Sequence, residues 1–135
     1  ELIEDITLEF KDGRVVNFDA RVGREILAEE INTDEGSCYA GEIGIGTNPV
    51  LQQHVVNSLM VEKIGGSFHI ALGNAYTFHD YLGTPVQVDN GNRSKIHWDI
   101  TTMLVGKEGR ITLDGKTIME NGRFLDPRLS ALNSH

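Results

Sequence analysis

Two short runs of alternating apolar and polar residues flank an Asp-Gly pair near the start of the chain. Ile6, Leu8 and Phe10 alternate with polar neighbours, Asp12-Gly13 interrupts, and Val16, Phe18 and Ala20 resume the alternation. Period-two alternation puts one set of side chains on one face of a strand, and Asp-Gly suits the left-handed positions of a two-residue turn, so an antiparallel hairpin is predicted. Asp114-Gly115, between Arg110–Leu113 and Lys116–Met119, repeats the signal. From Arg21 to Asn32, Val22, Ile26, Leu27 and Ile31 recur at the spacing of an amphipathic helix, although Gly23 lowers helix propensity near its start. A second, short helix is expected over Val55 to Lys63, ended by Gly65-Gly66. Together these features predict an α+β fold: a mostly antiparallel sheet with hairpins and a few helices. One domain is expected over residues 1–125, with a frayed tail over 126–135.

The middle of the chain concentrates residues that bind metals. In the β-branched stretch Ser94 to Thr101, alternation places His97 and Asp99 on one face and sends Trp98 to the other. An imidazole nitrogen and a carboxylate about 6–7 Å apart along a strand can converge on one ion. In Ser67 to Gly73, His69 shares a face with Ala71 and Gly73, whose small side chains leave room beside the ring. Glu42 lies among Gly41, Gly44 and Gly46, a density of glycine that marks a bulge or a close backbone approach. Glu62 precedes Gly65-Gly66, and residues 74–92 read as a long loop rich in Gly, Asp, Asn and aromatics. A single histidine in a strand is more often a packed, hydrogen-bonded residue than a ligand. Two histidines and an aspartate on separate strands carry more weight.

Composition narrows the partners. A net charge of −8 argues against a nucleic-acid backbone and is compatible with a cation site. No run approaches the ~20 apolar residues that a membrane-spanning helix needs. The single cysteine, Cys38, cannot form an internal disulfide, and a cytoplasmic location is expected.

The ordered set Asp34-Glu35-Gly36, Gly41-Glu42-Ile43, Glu62, His69-Ile70-Ala71-Leu72-Gly73-Asn74-Ala75-Tyr76 and His97-Trp98-Asp99 resembles the aminopeptidase T and aminopeptidase S family of metallopeptidases. The likeness runs nearly the whole length of the chain. It implies that Glu42, His69, His97 and Asp99 are metal ligands, that Glu62 is the catalytic glutamate and that Tyr76 is the active-site tyrosine. It further implies two divalent ions (zinc, cobalt or manganese), peptide substrates and a homodimer. The family draws one more glutamate ligand from upstream of the first hairpin, so the resemblance implies the C-terminal part of a longer enzyme, with the isolated chain poorly active.

A second enzyme class fits some of the same residues. Two histidines and one carboxylate, here His69, His97 and Asp99, form the ligand set of mononuclear iron oxygenases, and ring-opening dioxygenases of dihydroxypyridines resemble the same peptidase family. Glu42 and Glu62 favour hydrolysis, since extra carboxylates suit a second metal and a base. The third reading is a non-catalytic module for metal binding or dimerisation.

Overall fold

A computed structural model describes residues 2–51, 58–77, 80–86, 90–106 and 108–133. The chain divides into two compact units, one of residues 1–42 and 70–99, the other of residues 43–69 and 100–135. In chain order the elements are β1 (Glu4–Lys11), β2 (Arg14–Val22), α1 (Arg24–Ile31), β3 (Ala40–Ile45), α2 (Ser58–Val61), β4 (Ser67–Gly73), β5 (Asp80–Tyr81) and β6 (Thr84–Pro85). They continue with β7 (His97–Met103), β8 (Arg110–Leu113), β9 (Lys116–Glu120), β10 (Arg123–Phe124) and a 3-10 helix (Pro127–Leu132). The β1–β2, β5–β6, β8–β9 and β9–β10 pairs are all antiparallel, so the chain is mostly antiparallel sheet with few helices. Among the described residues no helix is long and apolar enough to cross a membrane.

In the first unit β1 and β2 form the expected hairpin. Asp12 and Gly13 take φ of 51° and 79°, the pair of positive values that a two-residue turn matched to strand twist requires. Alternation holds along β1, but β2 differs from its sequence pattern. Glu9 pairs with Asn17 and Phe10 with Val15, so Val16 is the extra residue of a bulge. Val15 is therefore buried with Ala20, while Val16 turns outward.

The helix begins later than its periodicity suggested. Gly23 stands at the N-cap with φ 74°, and Arg21 and Val22 belong to β2. A Cβ on Gly23 would lie 2.6 Å from the Leu2 carbonyl oxygen, so the glycine that weakened the helical pattern marks the boundary itself. Leu27 and Ile31 are the helix's buried residues, and they share the core of this unit with Val15, Ala20, Ala71 and Leu72. The Tyr39 carbonyl accepts from Gly73 N at 2.9 Å and Asn74 N donates to the Ile96 carbonyl at 2.7 Å, bonds that set the chain leaving β4 between the chain entering β3 and the chain entering β7. Residues 80–85, part of the expected long loop, form a small hairpin; residues 78, 79 and 87–89 of that loop lie outside the described residues.

The second unit holds the three-stranded sheet β8-β9-β10. The Asp114-Gly115 turn is as expected, and Asn121-Gly122, with φ of 47° and 76°, makes a further two-residue turn between β9 and β10. Among the described residues, Ile64, Leu104 and Met119 are its buried apolar ones. Of the short helix expected over residues 55–63, α2 accounts for Ser58–Val61, and residues 55–57 lie outside the described residues. The tail expected to fray is instead ordered as far as Asn133. Asp126 caps the 3-10 helix by accepting from Arg128 N, proline starts it, and the Asn133 side chain accepts from Phe124 N at 2.7 Å.

Asp34 ties two loops of the first unit together. Its Oδ1 accepts from Gly36 N, Ser37 N and Ser94 Oγ at 2.9, 3.0 and 2.8 Å, and its Oδ2 accepts from Lys95 N at 2.7 Å. These donors, the Lys95 amide foremost, hold its carboxyl below the ordinary value of 3.8. A carboxylate whose folded pKa is depressed contributes stability that is complete above the unfolded pKa and lost as pH falls through the folded one. Asp34→Asn is therefore predicted to lower the thermal midpoint at pH 7, with the gap to the parent protein closing as pH drops below 3.8. Thermal melts between pH 7 and pH 2 check this; a gap that does not change with pH would remove the carboxylate's charge from the account.

Candidate metal centre

In the first unit the chain entering β7 places His97 and Asp99 on one face, as their spacing predicted, and β3 brings Glu42 to the same point. His97 Nε2 lies 3.5 Å from Asp99 Oδ2 and 3.7 Å from Glu42 Oε2. The imidazole is nearly buried, at 8% side-chain exposure, whereas the two carboxylates are 36% and 41% exposed. On its other side His97 Nδ1 is 2.6 Å from the Asn74 carbonyl oxygen. A carbonyl can only accept, so Nδ1 carries a proton and donates to it, which leaves Nε2 as the atom that faces the carboxylates. Positive charge at Nε2, from a bound ion or from a proton, would satisfy both carboxylates.

The distances from His97 Nε2 to each carboxylate suit a divalent ion. Ligand atoms with bonds of about 2.0–2.1 Å to a tetrahedral ion stand roughly 3.3–3.4 Å apart. The Nε2–carboxylate separations are close to this, and an Nδ1–H bonded to a backbone carbonyl is the usual second partner of a metal-ligating histidine.

Tyr76 lies against the same ring. Its phenol stacks on the imidazole of His97 with centroids 4.3 Å apart and planes 28° from parallel. Tyr76 adopts φ 46°, unusual for a bulky side chain, and is 58% exposed, so one edge of the ring is open to solvent. Asn74, which drew no attention in the sequence beyond its place in a motif, anchors this arrangement. A signal for it existed: an Asn two residues before an aromatic at the end of a strand is a ready Asx turn.

In the second unit β4 carries His69 and the chain after α2 carries Glu62. Their ligand atoms lie within 4.8 Å of one another, and His69 is only 4% exposed. Glu62 is not a solvated acid at a helix end, since its side chain is 12% exposed and pairs with Lys63 Nζ at 2.5 Å. Ser67 Oγ donates to the Glu62 carbonyl at 3.2 Å, fixing the segment that holds the carboxylate.

The glycines expected to permit close approach do so. A Cβ on Gly44 would stand 2.1 Å from His69 Cε1, so β3 runs directly over the imidazole. In the first unit a Cβ on Gly41 would meet the carbonyl oxygens of Gly73 and Asn74 at 2.2 and 2.8 Å.

The thermophilic metalloprotease (M29) family model matches residues 1–124. The chain belongs to this family. Among the relatives of this chain, aminopeptidase AmpS of Bacillus subtilis (strain 168) is 33% identical over 135 residues, covering 91% of this chain and 32% of that protein. Aminopeptidase 2 of Geobacillus stearothermophilus is 35% identical over 94 residues, or 67% of this chain and 20% of its own length. Aminopeptidase T of Thermus aquaticus is 29% identical over 128 residues, or 90% of this chain and 30% of its own length. The chain thus spans about a third of the length of the AmpS and aminopeptidase T relatives.

Gly44→Ala is predicted to lower stability by about 1–3 kcal/mol, the usual cost of forcing a methyl group into a packed site. Urea denaturation measures it, and an unchanged midpoint would mean that the His69 ring has room to move aside.

Proposed function

We propose that the chain is the α+β metal-binding and catalytic portion of a metal-dependent aminopeptidase. The observation that carries this reading is the His97 imidazole, anchored through Nδ1 and aiming Nε2 at two carboxylates. Membership of a metalloprotease family whose relatives are named aminopeptidases supports it. Glu42, His69, His97 and Asp99 are the proposed ligands, for two divalent ions drawn from zinc, cobalt and manganese. When bound, such ions supply the positive charge that polarises a scissile carbonyl and acidifies water.

The chain's own side chains do the rest. Glu62, largely shielded from solvent, takes a proton from the attacking water and passes it to the leaving amine. Lys63 holds that carboxylate in place. Tyr76, stacked on His97, donates its hydroxyl to the oxyanion that develops on the carbonyl. His97, Asp99 and Glu42 fix where the charge sits. Peptides with a free amino terminus are the proposed substrates, and a cytoplasmic homodimer is the proposed setting, on the strength of the family likeness. An iron oxygenase site would draw on His69, His97 and Asp99. Glu42 beside His97 supplies a second carboxylate that such a site does not need, and this favours hydrolysis.

Elemental analysis of the full-length protein purified without chelator tests the reading: about two zinc, cobalt or manganese ions per chain are expected, at most one held firmly by residues 1–135 alone, and one iron would favour the oxygenase. In the full-length protein, Glu62→Gln is predicted to keep the metal and lower turnover of a leucyl anilide by roughly 10²–10⁴-fold, the usual worth of a general base. Undiminished turnover would take Glu62 out of the mechanism.

A further inference from the structure

Asn74 makes four hydrogen bonds within the first unit, and each bears on the candidate centre. Its backbone carbonyl accepts from His97 Nδ1 at 2.6 Å, and its amide donates to the Ile96 carbonyl, next to His97, at 2.7 Å. Its side-chain Oδ1 accepts from Tyr76 N at 2.8 Å, and its Nδ2 donates to the Ser94 carbonyl at 3.0 Å. The Oδ1–Tyr76 bond closes an Asx turn, which braces Tyr76 in its left-handed conformation over the imidazole. The Nδ2 bond pins the same side chain to the segment leading into β7. Between them the two side-chain bonds fix the Asn74 peptide plane, and that plane aims the carbonyl at His97.

We infer that Asn74 is a positioning residue for the centre: through the two side-chain bonds it sets both the orientation and the proton location of the His97 imidazole, and the place of Tyr76 above it. The inference rests on His97 being a metal ligand. Its chemical basis is that an imidazole coordinates through Nε2 only when Nδ1 keeps the proton and the ring faces the ion. The Asn74 carbonyl imposes both conditions. Gly41 packs against this carbonyl, so β3 adds support from the other side.

Zinc affinity, measured by competition with a chromophoric chelator at fixed pH, tests this on four variants of the chain. Asn74→Ala is expected to weaken zinc binding by about 10–100-fold, the range for loss of a ligand's supporting partner. Asn74→Ser keeps a short acceptor for Tyr76 N but cannot reach Ser94, and should recover part of the loss; it carries the test if the alanine variant does not fold. Asn133→Ala, which deletes the side chain bonded to the Phe124 backbone in the second unit, should lower stability and leave zinc affinity as it was. His97→Ala should lose the most zinc. Parent-like affinity in both Asn74 variants, or an equal loss in Asn133→Ala, overturns the inference while leaving His97 a ligand. Undiminished zinc binding in His97→Ala refutes the assignment of His97 as a ligand, and the inference with it.

Discussion

The bond from His97 to the Asn74 carbonyl is the interaction on which the organisation of the first unit turns. A buried imidazole can hold a proton on either nitrogen, and the choice decides whether its outward atom donates or coordinates. Here the backbone decides. The carbonyl is held by the chain leaving β4, by the Asn74 side chain and by the bare Cα of Gly41. Around it a layer of amide side chains and one carboxylate does for the loops what strand pairing does for the sheet. Asn92 bonds the Gly36 carbonyl, Asn90 reaches the carbonyls of Ala40 and Gly41, and Asp34 gathers Ser94 and Lys95. These are polar contacts between segments 49 to 61 residues apart in sequence, and they tie the loops of the first unit together.

The second unit meets a different constraint, the burial of an imidazole beside a carboxylate. His69 is almost inaccessible, and β3 passes so close that only glycine fits at position 44. A ring so enclosed has few rotamers available, which is the condition under which a ligand atom stays where a metal requires it. Glu62 is similarly confined, by Lys63 on one oxygen and by the Ser67 bond to its backbone. Confinement of this sort raises the cost of each wrong side chain nearby, and explains the glycines at positions 44 and 46.

Turns supply much of the remaining order. Asp12, Leu82, Asp114 and Asn121 each adopt positive φ directly before a glycine that does the same, and each pair closes a hairpin. Asp and Asn accept this conformation at modest cost. Leu82 has no such aptitude, and its side chain is exposed at the hairpin tip. This is the reason residues 80–85 read as loop in the sequence: no Asn-Gly or Asp-Gly announces the turn, and the strands are two residues long.

Sequence by itself determined the elements whose causes are local. The Asp-Gly hairpins, the i, i+2 placement of His97 and Asp99, and the close approach promised by Gly41 and Gly44 follow from turn chemistry, strand alternation and the missing Cβ, all of which act within a few residues. Tertiary structure decided what depends on distant partners. Whether Val15 or Val16 faced inward rested on a bulge set by the pairing of Phe10, and the order of the tail rested on an asparagine bonding back across nine residues to Phe124. Likewise only the folded first unit could bring Glu42 to His97, and only there did Asn74 become more than a letter in a motif. Hydrogen bonds between residues far apart in the chain leave no periodic trace in composition or spacing. Their geometry exists once the strands have paired, and not before.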